Sequence, residues 1–102
     1  MKSKLLPKEI ADQIPKMGET DSKEMTFYVK FFSPYTGWTW YAAEWDGEDI
    51  MFGYVEGFDD EWGTFSLSEL ESWEVMPGVK GVERDKFFKP TPATEIAPIS
   101  RG

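Results

Sequence analysis

Residues 38–55 have the sequence WTWYAAEWDGEDIMFGYV, in which two runs of aromatic and apolar side chains flank Asp46-Gly47. Asp-Gly between β-prone runs is the strongest short hairpin signal, since glycine accepts the positive φ that a two-residue turn requires. We therefore predict strands over residues 38–45 and 48–55. A two-residue turn between them would place Glu44 directly opposite Asp49.

The predicted pairing of Glu44 with Asp49 needs a reason, because like charges opposite each other destabilise a strand pair. We favour a hairpin end in water, where the repulsion is screened. Two alternatives stay open: a cation or basic partner between the carboxylates, or an acid and base pair that shares a proton.

Signals before the hairpin predict one helix and one strand. Residues 5–17 carry an apolar stripe at helical spacing, with Pro7 suited to a first helical position and Pro15 and Gly18 expected to stop the helix. Residues 25–32 alternate as a strand does. The helix is expected to pack on one face of the sheet.

Signals after the hairpin predict a strand over residues 62–67 and a helical turn over residues 69–73. Ser68 and Glu71 have capping-box spacing, which favours a helix start at Ser68. The expected fold class is therefore α+β, with a mostly antiparallel meander sheet of three to five strands and two helices. We place a single domain at residues 1–90 and expect residues 91–102, rich in proline, to form a mobile tail.

The composition closes most catalytic routes. The 102 residues include no Cys and no His, which excludes Cys-His and Ser-His nucleophile pairs and the usual zinc ligands. There is also no glycine-rich phosphate loop. Because the sequence has no Cys, no signal-peptide pattern and no membrane span, we expect a cytoplasmic protein. We assign no catalytic residue, no metal and no cofactor.

The charge is concentrated in residues 31–79, which contain eleven Asp or Glu and no Lys, Arg or His. The net charge of −8 would repel nucleic acid and anionic membranes, so direct binding to either is not expected. An acidic surface that binds a basic protein is the hypothesis that remains. Its candidate residues are Glu44, Asp46, Glu48, Asp49, Asp59, Asp60, Glu61, Glu69, Glu71 and Glu74.

Thirteen of the seventeen aromatic rings lie in the same segment. Most are expected in the core, and Trp45 and Trp62 are our candidates for rings that contact a partner. A rival hypothesis is a small ligand-binding or enzymatic domain with an aromatic pocket near Trp38, Trp40 and Tyr54. A metal site at Asp59-Asp60-Glu61 is the less favoured alternative to a solvated turn, since the spacing is not that of an EF-hand.

Four motifs in this order resemble a known family: LLPKEI at residues 5–10, WTWY at 38–41 with Asp46-Gly47, FSLSELE at 65–71, and ERD at 83–85 followed by Phe87-Phe88. The chain resembles the small bacterial family catalogued as domain of unknown function 2958. That family occurs in plasmids, integrative elements and phages, commonly near transfer and antirestriction genes. The resemblance implies a mobile-element setting and supplies no activity or site residues.

Together these observations predict a non-catalytic module that binds a basic protein. Alternate residues on one face of a strand are about 7 Å apart, so acidic side chains there can reproduce the spaced charges of a nucleic-acid backbone. A DNA mimic that occupies the basic site of a nucleic-acid-handling enzyme, and thereby counters host defence, is the more specific form of this hypothesis. The sequence leaves the oligomeric state open.

Overall fold

The computed structural model describes residues 5–21 and 24–97. In chain order the elements are α1 Lys8–Ala11, β1 Thr26–Phe27, β2 Val29–Phe32, β3 Thr39–Trp45, β4 Ile50–Glu56, β5 Asp60–Ser66, α2 Leu67–Ser72, β6 Glu74–Met76, β7 Val79–Lys80, β8 Glu83–Arg84, β9 Thr91–Pro92 and a 3-10 helix, Ala93–Glu95. The main sheet is antiparallel with the order β5-β4-β3-β2-β8, and two further strand pairs, β1-β9 and β6-β7, lie outside it. The predicted α+β class and antiparallel meander are confirmed.

An apolar cluster covers each face of the main sheet, as consecutive residues of β3 show by belonging to two different clusters. Ala42 lies in the first cluster, whereas Tyr41 and Ala43 lie in the second. The first face is covered by Leu6, Ile14, Leu67, Leu70 and Val82. The second face is covered by Met25, Phe27, Ala93 and Ala97.

The β3–β4 hairpin forms where it was predicted, but with another register. Ala42 lies opposite Gly53 and Glu44 opposite Phe52, with an irregularity between Ala42 and Glu44. The prediction that Glu44 faces Asp49 is therefore wrong. The cation site and the acid and base pair that depended on that contact have no structural basis.

The register differs because a longer loop replaces the two-residue turn. The Asp46 carboxylate accepts hydrogen bonds from the backbone N–H groups of Glu48, Asp49 and Ile50, at 2.8, 2.8 and 3.1 Å. Gly47 still supplies the positive φ, at 89°. Asp46 thus fixes a four-residue connection, and every cross-strand pair shifts accordingly.

The N-terminal helix is a single turn and does not extend over residues 5–17. Ile14 precedes Pro15, and the proline ring disfavours helical backbone at the residue before it. The chain instead runs to the sheet, where the Trp45 N–H donates to the Pro15 carbonyl at 3.0 Å. Within the described ranges, no helix is long and apolar enough to cross a membrane.

Residues 91–97 are packed onto the domain, so the ordered fold does not end at residue 90. The β9 strand pairs with β1, the Ala93 N–H donates to the Met25 carbonyl at 2.9 Å, and Ala93 is fully buried. The rest of the predicted tail, residues 98–102, lies outside the described residues.

Candidate functional site

The acidic turn, residues 56–61, joins β4 to β5. Glu56 lies directly opposite Asp60, and Asp59 and Glu61 flank that pair. Asp59, Asp60 and Glu61 are exposed, and none of the four carboxylates forms an ion pair with any Lys or Arg that the structure describes. No ion pair among the described residues relieves the like-charge repulsion that this arrangement produces.

The negative potential of the acidic turn reaches the buried phenol of Tyr54. Burial raises the pKa of Tyr54 above its ordinary value, and the charges of Asp60 and Glu56 raise it further. The pKa of Tyr41 is raised in the same way, first by burial and then by Glu56 and Asp85. In both cases burial is the larger cause of the raised pKa, and the nearby carboxylates add to it.

Phe58 is the most exposed aromatic ring of the described chain and lies at the tip of the acidic turn. Its side chain is 94% exposed and packs edge-on against Trp38, with ring centroids 5.4 Å apart. Gly57 makes this contact possible, because a Cβ there would lie 2.5 Å from the Trp38 ring. An exposed aromatic ring beside carboxylates is a candidate contact for a partner, since aromatic residues are enriched at protein interfaces.

Asp49 has an internal structural role. Its carboxylate accepts from the Ser66 hydroxyl at 2.6 Å and from the Ser68 N–H at 2.7 Å, and its carbonyl accepts from the Leu67 N–H. These bonds hold the first turn of α2, whose N-cap is Ser66, not Ser68 as predicted. The Ser66 and Ser68 bonds lower the pKa of Asp49, and the Glu48, Asp49 and Ile50 amides lower the pKa of Asp46.

Glu44 lies inside the protein, only 3% exposed, and cannot contribute to a surface. Its two carboxylate oxygens each accept one backbone hydrogen bond, from Gly18 and from Thr20, both at 2.8 Å. Gly18 has a φ of 81°, which lets the N–H groups of this segment turn toward one anion. Glu44 therefore anchors the N-terminal segment to β3.

The remaining four candidate carboxylates differ in how they are used. Glu71 accepts from the Leu5 N–H at 3.0 Å, and Glu74 pairs with Lys80 at 3.8 Å. Glu48 and Glu69 are exposed, and neither side chain forms an ion pair within the described ranges. Glu69 is the one of the two that lies beside the exposed ring of Trp73 and the half-buried rings of Trp38 and Trp40.

Of the three places where the candidate carboxylates concentrate, residues 46–49, 59–61 and 69–74, the first two lie at opposite ends of the sheet. The hairpin loop, residues 46–49, contacts the start of α2, so these two clusters are joined. The acidic turn lies at the opposite ends of β4 and β5, and seven-residue strands separate the two ends by about 20 Å. The molecule therefore has two acidic ends, and at the acidic turn none of the four carboxylates forms an ion pair with a described Lys or Arg.

The two tryptophans predicted to contact a partner pack against the core. The Trp62 ring is stacked on Phe52, with centroids 5.9 Å apart, and contacts Phe27 and Tyr54 on the second face. Trp45 packs against the first cluster, and its indole Nε1 is buried without a hydrogen-bond partner in the described chain.

Other tryptophans line an open groove on the first face. This Trp groove has a volume of about 310 Å³ and is bounded by Trp38, Trp40, Trp73, Leu70, Val82 and Glu69. It contains two of the rings of the predicted aromatic pocket. Tyr54 lies on the other face, and the carboxylate at the groove, Glu69, is exposed instead of buried. The features that would favour an enzymatic pocket are therefore only partly present.

No group of three or more Asp or Glu in the described ranges has the arrangement of a metal site. Asp59, Asp60 and Glu61 are all exposed to solvent at the acidic turn. Their residue types alone would suit Ca²⁺ or Mg²⁺, but these ions need six or more converging oxygen ligands.

A family model described as "Protein of unknown function (DUF2958)" matches residues 4–99. The chain belongs to this family. The resemblance carried by the four motifs is thereby confirmed, and the mobile-element setting stays a prediction. No curated protein and no solved structure matches the chain.

Sequence reasoning missed Phe58 and Trp73 as exposed rings of this DUF2958 domain. Phe58 stands in a turn between two strands, where no strand neighbour can cover it, so its position was a usable signal. Trp73 was not recognisable in the same way. Its placement depends on Gly81, where a Cβ would overlap the Trp73 ring, and this contact is not visible in either local sequence.

Proposed function

We propose that this protein is a non-catalytic module that binds a basic surface on another protein through the acidic turn and Phe58. The observation that carries the proposal is the combination of unpaired, exposed carboxylates with a 94% exposed aromatic ring at one end of the sheet. Asp59, Asp60 and Glu61 form no ion pair among the described residues, so their charges remain available to a partner.

The other carboxylates support this choice by contrast. Glu44 and Asp49 satisfy backbone N–H groups inside the domain, so a partner could reach them only by breaking those bonds. Asp59, Asp60 and Glu61 accept no such backbone hydrogen bonds in the described structure. Their charges are available to Lys and Arg side chains of a partner, and Phe58 supplies the apolar contact that charge alone lacks.

The partner class follows from the charge and from the setting that the family resemblance implies. We infer that the basic surface belongs to a protein that handles nucleic acid, since such proteins carry clusters of Lys and Arg that bind phosphates. A protein that covers such a surface competes with DNA or RNA for it, and in this way it acts as a DNA mimic. If the covered protein serves host defence, the competition is also an anti-defence activity. The two acidic ends, about 20 Å apart, can span part of such a groove.

The test is affinity capture of partners from bacteria that carry the gene, followed by direct binding measurements on the purified partner. We expect binding by the wild type to weaken strongly from about 50 to about 500 mM salt, because screening removes long-range attraction. The triple variant D59K/D60K/E61K should lose binding at low salt. F58A should weaken it at every salt concentration. DNA added to the complex should displace the protein if the occupied site is a nucleic-acid site.

A matched control separates the turn from net charge. E9K/E24K/E95K changes the total charge by the same amount at exposed positions outside the turn. It should keep most of the binding. Equal losses in the two triple variants, or binding that ignores salt, would contradict the proposal.

A further inference from the structure

The Trp groove offers π surfaces, and no basic side chain lines it in the described chain. Trp38 and Trp40 have ring centroids 6.0 Å apart with planes inclined by 33°, and Trp73, 40% exposed, also lines the groove. Glycines back two of the rings: Gly57 lies against Trp38 and Gly81 against Trp73. These contacts support the rings and leave surface that faces the groove.

The chemistry of the groove favours an organic cation. The face of an indole carries partial negative charge and attracts cations more strongly than other aromatic rings do. Glu69 adds a full negative charge at the rim, and its carboxylate takes no ion pair in the described structure. Three indoles and one carboxylate around about 310 Å³ suit a planar guanidinium, which stacks on rings and also pairs with carboxylates.

We propose that the Trp groove binds an arginine side chain of the basic partner. This inference rests on the proposed function and identifies one of the groups that the partner presents. Continuity supports it: Phe58 in the acidic turn contacts Trp38, and Trp38 lines the groove. A partner seated on the turn therefore has the groove directly beside it, so an arginine can enter while neighbouring basic side chains face the carboxylates of the turn.

The test uses N-acetyl-arginine amide as the probe and N-acetyl-citrulline amide as its neutral counterpart of nearly the same shape. Binding is followed by NMR through the five indole N–H resonances, assigned with single Trp→Phe variants. We expect saturable shifts of Trp38, Trp40 and Trp73 with the arginine probe. Trp62, on the other face, and Trp45, whose N–H is buried, serve as internal controls and should not move.

The citrulline probe should bind about tenfold more weakly, because it lacks the charge that the rings and Glu69 attract. Equal binding of the two probes would show an apolar groove without cation selectivity and would overturn the inference. Absence of saturable shifts, or equal shifts of all five indoles, would overturn it as well.

Two variants keep the test decisive. E69Q preserves the groove and its rings, and it should weaken the arginine probe severalfold with little effect on citrulline. W73L removes one wall and should weaken the probe further, with the fold checked by the unaffected Trp62 resonance. If W73L fails to fold, E69Q still decides. Salt-dependent partner binding through the acidic turn can persist when the groove binds no arginine, so failure here is distinguishable from failure of the proposed function.

Discussion

Glu44 illustrates at the residue scale how a buried carboxylate can serve the fold alone. Two backbone N–H groups from one turn each donate to one of its oxygens, so the charge is compensated by backbone dipoles. The same N-terminal segment also forms a bridge to β3 through Lys16 and Trp45. Glu44 thus holds residues 18–20 beside β3.

We predict that E44Q lowers the free energy of unfolding by about 1–3 kcal/mol. An amide offers one acceptor oxygen, so one of the Gly18 and Thr20 N–H groups would face the –NH₂ group and remain unsatisfied. Urea unfolding followed by tryptophan fluorescence measures the change. The control is E48Q at an exposed position, which should stay within about 0.5 kcal/mol of the wild type. Equal stabilities of E44Q and E48Q would refute the anchoring role.

At the scale of elements, the hairpin loop and α2 form one unit because Asp49 belongs to the loop and bonds to the start of the helix. Asp46 organises the loop, Asp49 holds the N-terminus of α2, and Ser66 caps it through the Glu69 N–H at 3.2 Å. The carboxylate at the helix start is also favourably placed relative to the backbone dipoles of the first turn.

We predict that D49N destabilises the protein by about 1–2 kcal/mol at pH 7, with the loss disappearing in acid. The Asp49 pKa is lowered in the fold, so its contribution is complete above the ordinary value of 3.8 and is lost as the pH falls through the lower folded value. Urea unfolding of both proteins at several pH values from about 7 to 3 gives the difference directly. A difference that does not shrink in acid would contradict the assignment.

The same elements show how far the sequence can predict this fold. The hairpin and α2 were predictable because Asp46-Gly47 and a serine three residues before a glutamate are local signals, although the serine that caps α2 is Ser66 and not Ser68. The register of the hairpin was not predictable, since it depends on hydrogen bonds from three backbone N–H groups to one Asp46 oxygen. The length of α1 was overestimated because its apolar stripe persists beyond the helix. Leu6 and Ile14 are buried at either end of a single turn, so periodicity alone was misleading.

The candidate site was predicted by composition more than by position. An excess of carboxylates in residues 31–79 is visible in the sequence, and Asp59, Asp60 and Glu61 are exposed as expected. The sequence does not show which of the ten candidate carboxylates form hydrogen bonds within the fold. The partners of Glu44, for example, are more than twenty residues away along the chain. The Trp groove is hidden for the same reason, since it combines β3 with the end of α2.

On the scale of the whole molecule, some negative charges stabilise the fold through hydrogen bonds, whereas others destabilise it through mutual repulsion. Glu44 and Asp49 belong to the first kind. Asp59, Asp60 and Glu61 belong to the second, since Asp60 faces Glu56 across the strand pair and neither has a cationic partner in the described structure. Salt screens repulsion between exposed charges, so the stability of the domain should rise with ionic strength.

We predict that D59K/D60K/E61K is at least as stable as the wild type at low salt and less dependent on salt. Three negative charges become positive, which changes the net charge from −8 to about −2. The D60K change also turns the repulsion across the strand pair into an attraction to Glu56, worth up to about 1 kcal/mol. Urea unfolding at about 20 and about 500 mM salt measures both effects.

E9K/E24K/E95K, with the same net charge, should gain less at low salt because it leaves the Glu56–Asp60 repulsion in place. A triple turn variant as unstable as E44Q would mean that these carboxylates hold the fold, and the reason to assign them to a partner would be gone.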